Sequence, residues 1–356
     1  MKIYKACVIG HFGKNENLLN GQTVKTKIVT EELQSQLGQD QVLKFDTHGG
    51  WKTLLKAPFQ VFRALKCSAN LLVFLGCNGL RVYAPLLSLQ RRLFKNRKIH
   101  YVVIGGWLPQ FLMKRKALSR MLRKFDGIYV ETNAMKIALE NQGFENVYVM
   151  PNCKKLNILS ESELVYPSGV PYKLCTFSRV MREKGIEDAV DAVVTANTAL
   201  GAQMFSLDIY GQVDRTQTQW FDLLQKKFPD YIRYCGAVPF DKSVDVLKDY
   251  FALLFPTYYE GEGFAGTLID AYSAGVPVIA SDWKYNAELV NDDVGYVYHT
   301  GERIALVDIL KAVAINPTLL LQKKRLCLKE AEKYRIDRAI EVLMAQLRNT
   351  YEKGCP

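Results

Sequence analysis

The chain has 356 residues, 49% of them hydrophobic and including 17 Phe and 19 Tyr, more than one ordinary core serves, so two domains of roughly 160–180 residues are expected. No run approaches the ~18 apolar residues of a membrane span, the start Met1-Lys-Ile-Tyr-Lys5 leads into a strand-like run and not a signal-peptide core, and the scattered cysteines lack CxxC pairs. These features argue against a membrane-spanning or disulfide-stapled protein and point to reduced thiols in a cytosolic one. The net charge of +11 is unevenly held: residues 1–165 carry 25 Lys+Arg against 11 Asp+Glu (+14), and residues 166–356 carry 22 against 25 (−3). Only the first half therefore calls for an anionic partner, for which nucleic acid, acidic lipid headgroups and a pyrophosphate-linked acceptor all qualify.

In chain order, residues 5–10 read as a buried strand, followed by a loop His11–Asn20 and a helical pattern from Val24 to about Leu37. Gly10-His-Phe-Gly13 is not a dinucleotide fingerprint, and no Walker lysine motif is present. Strands follow near 42–46, 70–75, 99–104, 127–130 and 147–150, with helical stretches near 53–66, 83–95, 110–124 and 132–141. Such alternation predicts a parallel sheet covered on both faces, with ligands gathering at the C-terminal ends of its strands. Two of these helices are basic and apolar at once. The first carries Trp51, Leu54, Leu55, Phe59, Phe62 and Leu65 among Lys52, Lys56, Arg63 and Lys66. The second carries Leu108, Phe111, Leu112, Leu118, Met121, Leu122 and Phe125 among Lys114, Arg115, Lys116, Arg120, Arg123 and Lys124. Each face either packs on the sheet or dips into an anionic membrane surface. His100 lies within a strand pattern and reads as a core residue; nothing in the spacing supports a role for His11.

Pro151-Asn152 and the polar stretch to Pro171 read as a hinge, after which the alternation restarts. Strands are expected at 174–178, 205–211, 232–235, 252–255 and 278–280, with helices from Gly185, near 217–227 and near 242–250. The loop Ser178-Arg179-Val-Met-Arg-Glu-Lys184-Gly185 follows a strand and precedes a helix, so Arg179 and Lys184 stand at the C-terminal edge of the second sheet. Two cations there suit a diphosphate. Pro256 ends the next-to-last strand, and Glu260-Gly-Glu-Gly-Phe264 opens directly onto a helical segment from Gly266 to Ala274. Unpaired N–H groups at such a helix start, with its dipole, favour phosphate oxygens. Glu262 and Asp270 bracket the loop and suit hydroxyl groups on either side of the phosphates. Phosphate between polyols describes a nucleotide sugar.

At this stretch, Glu262-Gly263-Phe264-Ala265 with Asp270, Ala274 to Ile279 and Glu288, the sequence resembles the retaining glycosyltransferases of the GT-B fold, family four in particular. Ala265 stands where the family has a second glycine, and Asp270 where it has a second Glu. The resemblance implies an α/β fold of two Rossmann-like doubly wound domains facing a cleft: an acceptor domain over 1–165, a nucleotide-sugar domain over 166–335, and a helix at 336–356 crossing back to the first. It implies transfer of a sugar from a nucleoside-diphosphate sugar, UDP-sugar foremost, to a saccharide or lipid-linked acceptor with retention of configuration, as in capsule, O-antigen or exopolysaccharide synthesis. Glu262, Arg179 and Lys184 are then the catalytic set. Gly21, Gly211, Gly263, Phe264, Ala265, Gly266, Thr267 and Asp270 are the donor-binding set, Asp270 on the ribose. Gly105-Gly106-Trp107 stands where many relatives place an active-site histidine, so no catalytic histidine is assigned. There is no DxD triplet and no His/Cys cluster, so neither metal nor cofactor is expected. Peripheral contact with the inner face of a bacterial membrane through the basic half is expected, and nucleic acid is not. A nucleotide-sugar 2-epimerase of the same fold and a non-catalytic basic binding protein remain alternatives.

Overall fold

Both halves of the chain build a six-stranded, all-parallel sheet, as the strand–helix alternation demands. The computed structural model describes residues 2–13, 21–49, 51–155 and 157–352. The loop at 14–20, including Asn20, and the side chains of Trp51 and Lys52 lie outside the described residues. The chain divides into two compact units, 1–155 with 335–356, and 156–334.

In the first unit the strands are β1 Tyr4–Gly10, β2 Val42–Asp46, β3 Ser68–Phe74, β4 Lys98–Val102, β5 Gly127–Val130 and β6 Val147–Val149, in the order β2-β1-β3-β4-β5-β6. Between them run α1 Gly21–Leu37, α2 Trp51–Leu55, α3 Ala57–Cys67, α4 Cys77–Gln90, α5 Leu108–Met113, α6 Lys116–Leu122 and α7 Asn133–Glu140. All of β3 is buried, which is why it reads as a continuous apolar run without alternation. The expected helix over 110–124 is two helices, broken around Lys114 and Arg115. Most of its apolar side is core: Leu108, Leu112, Leu118, Leu122 and Phe125 are buried, Phe111 and Met121 are half-buried, and Met113 is exposed.

In the second unit the strands are β7 Tyr172–Phe177, β8 Phe205–Tyr210, β9 Ile232–Gly236, β10 Ala252–Phe255, β11 Val278–Ser281 and β12 Gly295–Tyr298, in the order β12-β11-β10-β7-β8-β9. The helices are α8 Ile186–Leu200, α9 Thr218–Gln225, α10 Ser243–Leu247, α11 Gly266–Ser273, α12 Asn286–Leu289, α13 Arg303–Ile315, α14 Thr318–Leu321 and α15 Lys324–Ala331. Strand order reverses direction between β7 and β10. A crevice for ligands opens at such a point, outside the carboxyl ends of the two strands. The loops that leave β7 and β10 are the two carrying Arg179–Lys184 and Pro256–Glu262.

The last helix, expected as one piece from Ile336, is α16 Ile336–Ala339 followed by α17 Glu341–Glu352. Ala339, Ile340, Leu343, Met344 and Leu347 are buried in the same cluster as Ala6, Val8, Val29 and Leu33, so this segment completes the first unit's core. Among the described residues no single helix is long and apolar enough to cross a membrane.

Candidate functional site

Two loops meet at the β7/β10 crossover because one residue between them has no side chain. Gly185 adopts a left-handed backbone (φ 70°), and a Cβ there would lie 2.1 Å from the Pro256 carbonyl oxygen, closer than any real contact. The turn Arg182–Lys184 is therefore pressed against the loop after β10. Tyr258 N–H donates to the Glu183 carbonyl at 2.8 Å, and the Thr257 hydroxyl oxygen lies 3.3 Å from the same carbonyl. Gly211 plays the matching role at the loops after β7 and β8. Its φ is 136°, and a Cβ would sit 1.7 Å from the Ser178 carbonyl. The resemblance implied a donor-binding Gly211; the structure places it against the backbone of the Ser178–Arg179 turn.

This apposition delivers Lys184 to Glu262. The two form an ion pair, with side chains only 12% and 8% exposed. The Thr257 hydroxyl donates to Glu262 Oε2 at 2.9 Å, and the Ser281 hydroxyl fixes the Thr257 carbonyl at 2.6 Å. The Lys184 ammonium also lies over the Tyr259 and Phe255 rings, 5.0 and 5.7 Å from their centroids. A buried pair held this way fixes a cation in one place, since separating its members would leave each largely buried charge without its counter-charge. Arg179 is different. Its side chain is 53% exposed, and among the described residues its only near carboxylate is Asp214, at 3.5 Å. The Asp214 carboxyl is held below the usual range, chiefly by hydrogen bonds from Thr216.

Beyond Glu262 the loop turns into α11. The residue at its N-cap, Ala265, has no side-chain hydrogen bond to offer, so the first N–H groups of the helix gain no side-chain cap. One residue into the helix, the Thr267 hydroxyl is buried and has no hydrogen-bond partner among the described residues, an arrangement that costs free energy unless something supplies one. Gly263 and Gly266 flank this turn. Phe264 is buried, and its ring packs edge-on against Tyr334 (4.7 Å, 89°), so it anchors the loop to the core. Asp270, one turn further, is 2% exposed, and its Oδ1 accepts from the Ser243 hydroxyl at 2.8 Å. That contact ties α11 to α10.

The structure thus brings together Lys184, Glu262, the Ala265–Thr267 turn and Gly211's loop within the second unit. Gly21 belongs to the first unit, where it opens α1; it is exposed, and a Cβ there would meet nothing within 4 Å. Glu288, on α12, is exposed. Sequence reasoning missed Thr257, Tyr259 and Gly185. Thr257 had a signal: it directly follows the proline that ends β10, at the carboxyl edge of the sheet. His100 is buried, bonded to Tyr129 Oη (3.0 Å) and Asn70 Oδ1 (3.2 Å), and burial pulls its pKa down to about 4. It is the core residue expected. His11 Nδ1 meets Thr23 Oγ1 at 2.7 Å, and its Nε2 meets His48 Nδ1 at 3.0 Å. Burial first and His48 second lower its pKa. Among the described residues no three His, Cys, Asp or Glu side chains come together in a metal-binding group.

Residues 171–316 match the family described as Glycosyl transferases group 1. Over 202 residues the chain is 30% identical to the GtfA subunit of a UDP-N-acetylglucosamine–peptide N-acetylglucosaminyltransferase of Streptococcus gordonii, covering 54% of this chain and 38% of that protein. The Streptococcus agalactiae GtfA subunit is 31% identical over 167 residues, 46% of this chain and 32% of its own. The chain spans less than half the length of these curated relatives. Among solved structures it is similar to Anabaena HepE in complex with UDP (TM-score 0.72, 13% identity, 98% of this chain and 100% of that one). It is also similar to the lipopolysaccharide outer core galactosyltransferase WaaB in its apo form (TM-score 0.71, 15% identity, 99% of each chain). At these identities the likeness speaks for the fold alone. The resemblance read from Glu262 to Glu288 lies within the stretch that matches the group 1 glycosyltransferase family, and the chain carries the GT-B fold.

Proposed function

We propose that the protein transfers a sugar from a nucleoside-diphosphate sugar, foremost a UDP-sugar, to a saccharide or lipid-linked acceptor with retention of configuration. The observation that carries this reading is the buried Lys184–Glu262 pair beside an N-terminus without a side-chain cap and an unpartnered Thr267 hydroxyl, all at a crossover point of the sheet. In this reading the Ala265–Thr267 amides and the Thr267 hydroxyl hold diphosphate oxygens. Lys184, oriented by Glu262 and Thr257, and the freer Arg179 stabilise charge as the nucleoside diphosphate leaves. Glu262 and the Gly263–Phe264 backbone meet sugar hydroxyls. Asp270 meets the ribose, with Ser243 orienting its carboxyl. Gly21 approaches the donor diphosphate.

The UDP relatives support the choice of base, and the basic first unit supports an acceptor at an anionic membrane, reached from the inner face, as in surface-polysaccharide assembly. A thermal-shift panel of UDP-, GDP- and ADP-sugars tests the donor, followed by product analysis with the best binder. Stabilisation by a UDP-sugar and transfer with retained configuration are expected. Indifference to every nucleotide would overturn the reading, and isomerisation of the donor without an acceptor would replace transfer by epimerisation.

A further inference from the structure

The apolar residues of α2 and α3 face two ways. Ala57, Val61, Ala64 and Leu65 are buried in the core, whereas Leu55, Phe59 and Phe62 are 71%, 67% and 40% exposed. Lys56, between the helices, keeps a helical backbone (φ −84°, ψ −9°), so those three continue one outward stripe at i, i+4 and i+7. The chain leaving α4 runs alongside. Gln90 Nε2 donates to the Pro58 carbonyl at 3.1 Å, Phe94 meets Phe62 edge-on at 5.5 Å, and Arg97 Nε donates to the Leu65 carbonyl at 3.2 Å. That neighbouring segment exposes Leu89 and Leu93, at 60% and 72%. Single exposed apolar residues are ordinary, but five large ones on two adjoining segments form a patch that something covers.

Charge says what. Lys56, Arg63, Lys66, Arg92 and Lys95 are exposed on the same two segments. From Thr47 to Phe125 the sequence holds 16 Lys+Arg and no Asp or Glu at all. The first carboxylate after that span, Asp126, receives Arg91 and Lys98, each at 2.9 Å, and so offsets two of those cations while the patch keeps the rest. Nucleic acid matches the cations but gives Leu55, Phe59 and Leu93 nothing to bury against. A bilayer matches both, because the side chains sit at the acyl boundary while Lys and Arg stems carry their charges up to the headgroups. We propose that this face of the first unit, the α2–α3 stripe with the end of α4 and the segment after it, seats on an anionic lipid bilayer. Leu55, Phe59 and Leu93 enter the boundary, and Lys56, Arg92 and Lys95 meet lipid phosphates. α5 and α6, equally basic, add mainly charge, since Leu108, Leu112, Leu118 and Leu122 are already in the core and Met113 alone of their large apolar residues is largely exposed. The inference deepens the membrane part of the proposed function and rests on it.

The test is sedimentation of the full chain with phosphatidylcholine vesicles, with and without phosphatidylglycerol. Binding is expected only with phosphatidylglycerol and weakens as salt rises. Phe59→Ser with Leu93→Ser, and separately Arg92→Glu with Lys95→Glu, each lower it by about tenfold or more. Ile304→Ser with Ile315→Ser, exposed apolar residues of the second unit, leaves it unchanged. All variants keep the parent melting temperature and UDP response, so a loss is not unfolding, and failure on vesicles leaves the donor reading untouched. Equal binding to both vesicles, no binding, or binding indifferent to the two first-unit double variants overturns the proposal. So does a self-association that Phe59→Ser dissolves, or tighter binding to duplex nucleic acid than to the anionic vesicles.

Discussion

Each unit holds a buried lysine–glutamate pair at the carboxyl edge of its sheet, and the two pairs differ in what surrounds them. In the first unit Lys25 of α1 bonds Glu131, just past β5, at 2.7 Å, with side chains 2% and 3% exposed; Lys25 also reaches the Val103 carbonyl at 3.4 Å. The pair is enclosed by protein and ties α1 to the ends of β4 and β5. In the second unit Lys184 and Glu262 are several times more open, and they lie at the strand-order reversal beside a helix start and an unpartnered hydroxyl. The same two charges thus serve as an internal tie in one place and as an oriented cation at a crevice in the other. Burial of a charge pair is by itself no mark of a site; position at the crossover is what separates the two.

The comparison can be broken most sharply in the first unit. Lys25→Ala leaves Glu131 charged and enclosed, which costs about 3–5 kcal/mol. A fall in the unfolding midpoint of that size is expected in denaturant melts, with the UDP response of the still-folded protein intact. Replacing both partners by Lys25→Met with Glu131→Leu should recover much of the loss. In the second unit Lys184→Ala or Glu262→Ala should reverse the pattern, lowering transfer by about 10²–10³-fold while the protein stays folded. Near-normal turnover by both would remove the distinction between the two pairs.

A pH titration sharpens it further. Buried His100 has its pKa pulled to about 4 by burial, below the ordinary 6.5. The folded chain therefore binds this proton later than the unfolded one does. Stability is complete above about pH 6.5 and falls as pH drops toward about 4, by up to roughly 3 kcal/mol. Melting temperatures of the parent should drop over that window, and those of His100→Gln should drop less. The smallest effect is expected at Arg179→Ala. Half-exposed and only loosely paired, Arg179 should leave stability unchanged while transfer falls about tenfold. A melting-temperature loss there would make it structural instead.

Where the sequence was legible, local chemistry repeated a simple rule. Apolar runs such as Leu71–Phe74 and Ala252–Phe255 could only be buried strands, and Pro256, Gly275 and Pro277 punctuated them. The glycine loop onto α11 was readable for the same reason, because Glu262 to Thr267 are consecutive and their spacing is the geometry. The short β12 was missed because Gly295–Tyr298 is half-exposed and lacks a long apolar run. The basic helix over 110–124 was misread as one continuous face, since Arg115 turns back over the Phe111 ring (3.9 Å) and donates to its carbonyl, ending the first helix there.

By itself the sequence determined two parallel α/β units, the glycine turn that opens onto α11 and the placing of Arg179 and Lys184 in the loop after β7, because all of these depend on neighbours in the chain. Tertiary structure decided the rest. Lys184 and Glu262 are far apart in sequence, and only the missing side chain at Gly185, against Pro256, lets their loops close. Likewise only packing could show that Leu108, Leu112, Leu118 and Leu122 of α5–α6 are core while Leu55, Phe59 and Phe62 point outward, since the alternation of cation and hydrophobe is the same in both. Which side of an amphipathic helix meets the sheet is set by its partners, and a single chain segment does not carry them.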